Sequence, residues 1–339
     1  MKQKANYNIA ILGATGAVGN MMLRVLEERR FPVGELRLLA GKRSAGRKVS
    51  FAGKEYAVQE ASAEAFHGMD IVLGAAESDV AVRFAPFIRE AGAVFVDNSS
   101  AFRLDPAVPL VVPEVNGEDA LSHNGIIANP NCSTIITLMA LAPIARLSPI
   151  KTVVASTYQA VSGAGNDGLS ELEEQVRSYA RGEKAEAKVF PHQILFNLVP
   201  RIGAVDENGY SSEEMKLQNE GRKILHRSDL RISCTCVRVP VMRAHSISVT
   251  FTTEHPVSVE EARAAISAFP GIRVADAPNQ DVYPMPLDAS DGDDVVVGRI
   301  RRDLTSESGL SLWCCGDQIR KGAATNAVQI AELLIKKGA

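Results

Sequence analysis

With 339 residues, 46% of them hydrophobic and 23% charged, the chain is long enough for two domains that each bury a core. A formal net charge of -3, with no basic run interleaved with aromatics, leaves no electrostatic footprint for nucleic acid. The start Met1-Lys2-Gln3-Lys4 is basic, but Ile9-Ala10-Ile11-Leu12 is too short for a signal-peptide core and no apolar run is long enough for a membrane span, so a cytoplasmic enzyme or binding protein is expected.

Asn8 to Leu12 reads as a short buried strand, and Gly13-Ala14-Thr15-Gly16-Ala17-Val18-Gly19 leads from it into the helical run Met21 to Arg29. Strand, glycine turn and helix together form a dinucleotide-binding context: the backbone approaches the pyrophosphate and offers it helix N–H groups. Gly13, Thr15, Gly16, Ala17, Val18 and Gly19 are therefore candidate cofactor contacts. After the next strand, Leu36 to Ala40, NAD folds usually place an acid on the ribose; here the chain reads Gly41-Lys42-Arg43-Ser44. Arg43 and Ser44 suit a 2′-phosphate, so NADP is the expected cofactor. Lys48 to Val58 alternates like a hairpin. Asp70 to Ala76, the helix Val80 to Glu90 and the strand Ala93 to Asp97 continue a βαβ rhythm, which predicts a doubly wound sheet. Arg103 follows the carboxyl end of that last strand, where such sheets bind ligands, and is a candidate anion contact.

Ala128-Asn129-Pro130-Asn131-Cys132-Ser133-Thr134 precedes the apolar run Ile135 to Leu141, so a helix is expected to begin at or beside Cys132, with Asn131 a candidate cap. A thiol there sits among unsatisfied N–H groups at the positive end of the helix dipole, which favour the thiolate and can hold an oxyanion formed when sulfur attacks a carbonyl. The other cysteines, Cys234, Cys236, Cys314 and Cys315, form no C-x-x-C pair and have no histidine at zinc-ligand spacing, so neither a disulfide framework nor a metal is expected. Pro149 marks a break. Thr152 to Gln159 reads as a strand ending in the glycine loop Ala160-Val161-Ser162-Gly163-Ala164-Gly165, where backbone can approach a cofactor or substrate closely. A helix is expected over Gly168 to Ala180, strands over Ile232 to Val239 and Ser246 to Thr252, and a C-terminal helix over Gln318 to Ile335.

Carried by these stretches, the chain resembles the aspartate-β-semialdehyde dehydrogenase family from Ile9 to Glu332. G-A-T-G-A-V-G, N-P-N-C-S-T, Y-Q-A-V-S-G-A-G, F-P-H-Q-I at Phe190 to Ile194, E-E-M-K at Glu213 to Lys216, R-V-P-V-M-R-A-H-S and D-Q-I-R-K-G-A-A-T-N arrive in family order. The resemblance implies an α/β fold: an N-terminal Rossmann-type NADP-binding domain over 1–130, completed by a C-terminal helix at 318–337, and an α+β catalytic and dimerisation domain over 131–317. It implies a homodimer and the NADPH-dependent reductive dephosphorylation of L-4-aspartyl phosphate to L-aspartate 4-semialdehyde, reversible with phosphate. Cys132 is then similar to the family's nucleophile, which becomes an acyl thioester. His245 resembles the general acid/base, its near-neutral reference pKa suiting proton exchange. Gln159 would orient the thioester, Arg238 clamp the substrate carboxylate through its planar fork, and Glu213 meet the α-amino group. Arg103 and Lys216 resemble phosphate contacts, while Ser162, Gly163 and Gln318 resemble cofactor contacts, Gln318 standing where many relatives have asparagine. The related reading is N-acetyl-γ-glutamyl-phosphate reductase, whose acylated amine would not call for an acid such as Glu213. A non-catalytic NADP-sensing protein would have no need of Cys132, His245 and Arg238 together.

Overall fold

A computed structural model describes residues 3–338; Met1 and Lys2, part of the basic start, and Ala339 lie outside the described residues. The chain divides into two compact units, residues 1–131 with 323–339, and residues 132–322.

In the first unit β1 (Tyr7–Leu12) runs through the glycine turn into α1 (Ala17–Glu28), followed by β2 (Val33–Ala40), β3 (Lys48–Phe51), β4 (Lys54–Glu60), β5 (Ile71–Gly74), α2 (Ser78–Glu90), β6 (Val94–Asp97), the short α3 (Pro113–Asn116) and β7 (Ile126–Ala128). The strands form one sheet in the order β3-β4-β2-β1-β5-β6-β7. Neighbours are parallel except the β3–β4 hairpin, which bears out the hairpin expected over Lys48 to Val58. Parallel strands covered on both faces read as continuous apolar runs, and β5 and β6 are buried at every position. Strand order reverses at β1, so the crevice for a ligand lies at the carboxyl ends of β1 and its neighbours.

The second unit begins with α4 (Cys132–Ala145), then β8 (Ile150–Gln159), α5 (Gly165–Ala180), α6 (Ser212–Ile224), β9 (Arg231–Arg238), β10 (His245–Thr253), α7 (Val259–Ser267), β11 (Ile272–Val274), α8 (Pro286–Ala289), β12 (Val295–Arg302) and β13 (Gly309–Gly316). Its mixed sheet has the order β11-β12-β13-β10-β8-β9. From Ser133 to Ile144, α4 is buried at every position, so it is a core helix and not an amphipathic surface one. Strands β11, β12 and β13 carry no reading in the sequence analysis. The final helix, α9 (Thr325–Lys337), belongs to the first unit, where Arg29 of α1 grips Glu332 through two hydrogen bonds of 2.8 Å.

The expected C-terminal helix from Gln318 is corrected in its first turns. Asp317 and Gln318 precede any helix, and residues Arg320–Ala324 form a π-helical turn before α9. The buried Asp317 carboxylate accepts the Ile319 and Arg320 N–H groups, and Gly322 donates to the Asp317 carbonyl, closing a wider turn than the α-helical one.

Candidate active site

The nucleotide fingerprint sits in the first unit. Gly13 has φ +91°, and a Cβ there would meet the Ala75 carbonyl oxygen at 2.5 Å; at Gly19 it would meet the Gly13 carbonyl oxygen at 2.3 Å. Those glycines let strand and helix close on each other, whereas a Cβ at Gly16 would meet only the Gly13 carbonyl oxygen, at 3.5 Å. Helix α1 has neither a side-chain cap nor an acid in its first turn, so the end that faces a ligand is not already neutralised. This turn fits a pyrophosphate. Thr15 lies 3.4 Å from Ser44 through their hydroxyls, tying the glycine turn to the 3-10 turn Lys42–Ser44, on which Arg43 is exposed. Arg103 is buried in the same unit; its Nε donates to the Asn129 carbonyl at 3.0 Å and its Nη2 to the Asn98 carbonyl at 2.7 Å. It thus links the chain leaving β6 with that leaving β7.

In the second unit, three strand ends bring the remaining candidates together. Gln159 closes β8 and lies opposite Arg238 at the end of the parallel β9, while His245 opens β10. The Gln159 amide accepts from Thr157 Oγ1 at 3.1 Å and donates to Glu213 Oε1 at 3.1 Å. The other Glu213 oxygen accepts from Lys216 Nζ at 2.8 Å, an i,i+3 pair on α6 with the glutamate nearly buried. Arg238 is buried: its Nη1 donates to the Ala160 carbonyl at 2.7 Å, and its guanidinium lies 5.8 Å from the centroid of the Phe190 ring. Burial lowers its pKa, against the opposing pull of Glu213, Cys132 and Cys236.

His245 is fully buried, and Ala160 N–H donates to its Nδ1 at 3.0 Å. That bond requires a lone pair on Nδ1, so the neutral ring carries its proton on Nε2. Gln159 Nε2 lies 3.4 Å from that Nε2. The expectation of a near-neutral pKa is corrected: burial first and the Arg238 charge second push it down to about 3, with Glu213 acting in the other direction. Gly163 stands against both groups, since a Cβ there would meet Arg238 Nη1 at 2.6 Å and His245 Nε2 at 3.5 Å.

Cys132 is the first residue of α4 and is half-buried, as the helix expectation required. The π turn explains the glycine at position 322: a Cβ on Gly322 would meet Cys132 Cβ at 2.9 Å. Gln318, expected as a cofactor contact, uses its amide inside the protein, accepting from Ala244 N–H at 2.9 Å and donating to Ser162 Oγ. Sequence reading assigned no role to Phe190, Ala160, Ala244 or Gly322. The R-K-G-A-A and F-P-H-Q-I stretches were visible as motifs, but only tertiary contacts give those residues something to do. Among the described residues no group of three or more His, Cys, Asp or Glu is arranged to hold a metal, and no helix is long and apolar enough to cross a membrane.

Two family descriptions match, "Semialdehyde dehydrogenase, NAD binding domain" over residues 8–123 and "Semialdehyde dehydrogenase, dimerisation domain" over 141–321. The chain is 52% identical over 336 residues to the aspartate-semialdehyde dehydrogenase of Aquifex aeolicus, covering 98% of this chain and 99% of that one. It is 50% identical over 330 residues to the Synechocystis protein of the same name, covering 97% and 98%. Among solved structures it is similar to aspartate semialdehyde dehydrogenase II of Vibrio cholerae complexed with ASA, with TM-score 0.96, 44% identity, and 98% and 99% of the two chains covered. A more distant likeness, with TM-score 0.76, 26% identity, and 98% and 99% covered, is to the Candida albicans aspartate semialdehyde dehydrogenase with NADP.

Proposed function

Because the chain belongs to the aspartate-semialdehyde dehydrogenase family, an oxidoreductase family, we propose that it carries out the NADPH-dependent reductive dephosphorylation of L-4-aspartyl phosphate to L-aspartate 4-semialdehyde, reversibly with phosphate. The product would feed lysine, methionine, threonine and diaminopimelate synthesis. The observation that carries the reading is the convergence of Gln159, Arg238 and His245 at the ends of adjacent strands, in a unit that begins with a half-buried Cys132 at a helix start.

The chemistry follows from the residues. Cys132 sulfur attacks the acyl carbon; the carbon–sulfur bond forms, the carbon–oxygen bond to phosphate breaks, and the acyl group remains as a thioester. Phosphate carries away the proton that the overall reaction consumes. The charge that develops on the acyl oxygen is favoured by the N-terminal dipole of α4. When bound, NADPH supplies the hydride that takes the acyl carbon to the aldehyde level. Cleavage of the carbon–sulfur bond then returns the thiolate. His245 offers a neutral Nε2–H to the substrate oxygen, and being neutral it places no second positive charge beside Arg238, whose guanidinium would pair with the α-carboxylate. Glu213, already held by Gln159 and Lys216, is an acid for the free α-amino group, which favours the aspartyl substrate over an N-acetylated one.

Arg43 and Ser44 support NADP over NAD, and the chain would act as a homodimer through the second unit. Following NADPH absorbance with aspartate semialdehyde, phosphate and NADP together, and omitting each in turn, tests the assignment. Activity that persists without phosphate, or with NAD as efficiently as NADP, contradicts it.

A further inference from the structure

We propose that Asn326 of α9 is a positioning residue for Arg103, acting through a relay of three side-chain amides that sets the two carbonyls on which the guanidinium rests. The inference rests on the reading of Arg103 as a phosphate contact. Arg103 donates from Nε to the Asn129 carbonyl and from Nη2 to the Asn98 carbonyl, so the plane of its guanidinium follows the spacing of those two oxygens. The same two residues are joined through their side chains, Asn129 Nδ2 donating to Asn98 Oδ1 at 2.7 Å. Asn98 Nδ2 in turn donates at 2.7 Å to the carbonyl of Gly74, the last residue of β5. On the other side Asn129 Oδ1 accepts from Asn326 Nδ2 at 2.7 Å, and Asn326 Nδ2 also donates to the Val111 carbonyl at 2.9 Å. Asn129 and Asn326 are wholly buried.

The relay runs one way. Both of its ends lie on backbone carbonyls, which only accept, so Asn326 and Asn98 each turn a nitrogen toward a carbonyl. Asn129 between them is held by both: reversed, it would set two donors against each other on one side and two acceptors on the other, in a buried position where an unmade bond is costly. The β6–β7 ladder ends at the pair Asp97 and Ala128, and one residue past it the amides join Asn98 to Asn129. A helix from the far end of the chain therefore fixes the gap between the two strand exits that hold Arg103. The turn leading to Arg103 is tied down separately. Ser99 donates to the buried Asp97 carboxylate from its N–H at 3.1 Å and its Oγ at 2.6 Å, and Ala101 N–H donates to Ser99 Oγ at 3.1 Å.

The test is a mutant cycle in the full-length protein with Arg103→Lys, which keeps the charge and loses the fork. Asn326→Ala breaks the relay at its start. Asn98→Ala, at a half-buried position, breaks it at the other end and serves where the first variant fails to fold. With phosphate, semialdehyde and NADP each varied in turn, either variant is expected to raise the KM for phosphate about fivefold or more and to leave that for aspartate semialdehyde within about twofold. On top of Arg103→Lys, either should add less than about twofold to the phosphate KM, because residues that act through one contact do not add. Full additivity in the cycle would overturn the relay, as would lost stability in denaturant unfolding with every KM unchanged. So would a rise of about tenfold in the NADP dissociation constant with the phosphate KM unaltered. A wild-type phosphate KM in Arg103→Lys alone would instead remove the phosphate reading of Arg103, and the relay's role with it.

Discussion

A backbone N–H decides which nitrogen of His245 carries the proton, and with it what the residue can do. Ala160 occupies Nδ1, and buried surroundings beside Arg238 oppose a second proton. Unfolded, the ring is protonated below about 6.5, but in the fold only near 3. Between those values the unfolded chain binds more protons, so the contribution to stability is intact above 6.5 and declines as the pH falls toward 3. His245→Gln removes this dependence. Relative to wild type, denaturant unfolding should favour the variant by about 2 kcal/mol more at pH 5 than at pH 7; an equal difference at both pH values would show that the histidine titrates normally. The Glu213–Lys216 ion pair also has a kinetic consequence. Lys216→Ala should raise the KM for phosphate and, by releasing Glu213, that for the semialdehyde as well. Arg238→Lys keeps charge but loses the fork, so it should raise the semialdehyde KM and lower the rate about tenfold or more, with little change in phosphate KM. A phosphate-only effect in Lys216→Ala would mean that the ion pair does not couple the two. At this scale the chemistry-bearing side chains were legible because their types are specific. Ala160 and Ala244 were not, since each contributes a backbone N–H that no side chain announces.

Elements were legible where one physical signal dominated. The glycine turn into α1 and the proline-led start of α4 are local events, and both can be read from a few residues. Strands β12 and β13 went unread although long: they are buried by partners distant in the sequence, and the β12–β13 pairing shifts register between Gly298 and Arg301. The π turn before α9 was missed because an Asp317 side chain redirects a sequence with otherwise helical texture. A similar device holds the segment after α5. Glu171, buried on that helix, accepts from Lys188 N–H at 3.0 Å and from Val189 N–H, while Gln175 Oε1 accepts from Ile194 N–H at 3.1 Å and Leu195 N–H at 2.9 Å. Phe190, which flanks the Arg238 guanidinium, lies between these anchors. Glu171→Ala removes the acceptor of the Lys188 and Val189 N–H groups, which lie on exposed residues, and should cost about 1 kcal/mol in denaturant unfolding, with a raised semialdehyde KM. Loss of stability without any change in KM would separate the segment from substrate binding.

For the whole molecule, the two matched family descriptions cover most of the chain, and the observed units correspond to a nucleotide fold and a mixed-sheet fold. In the second unit α4, α6 and α7 pack on the mixed sheet, while β8 exposes Val154 at 59%. The homodimer proposed above is tested on this open face: Val154→Glu should shift the protein toward monomer in sedimentation velocity, and an unchanged mass would exclude the face. The central claim concerns one covalent bond. Wild type and Cys132→Ala are exposed briefly to L-4-aspartyl phosphate without NADPH and weighed intact: the expected result is a single aspartyl adduct on the wild type, lost on adding NADPH, and none on the variant. No adduct on the wild type, or the same adduct on both, would contradict a Cys132 thioester.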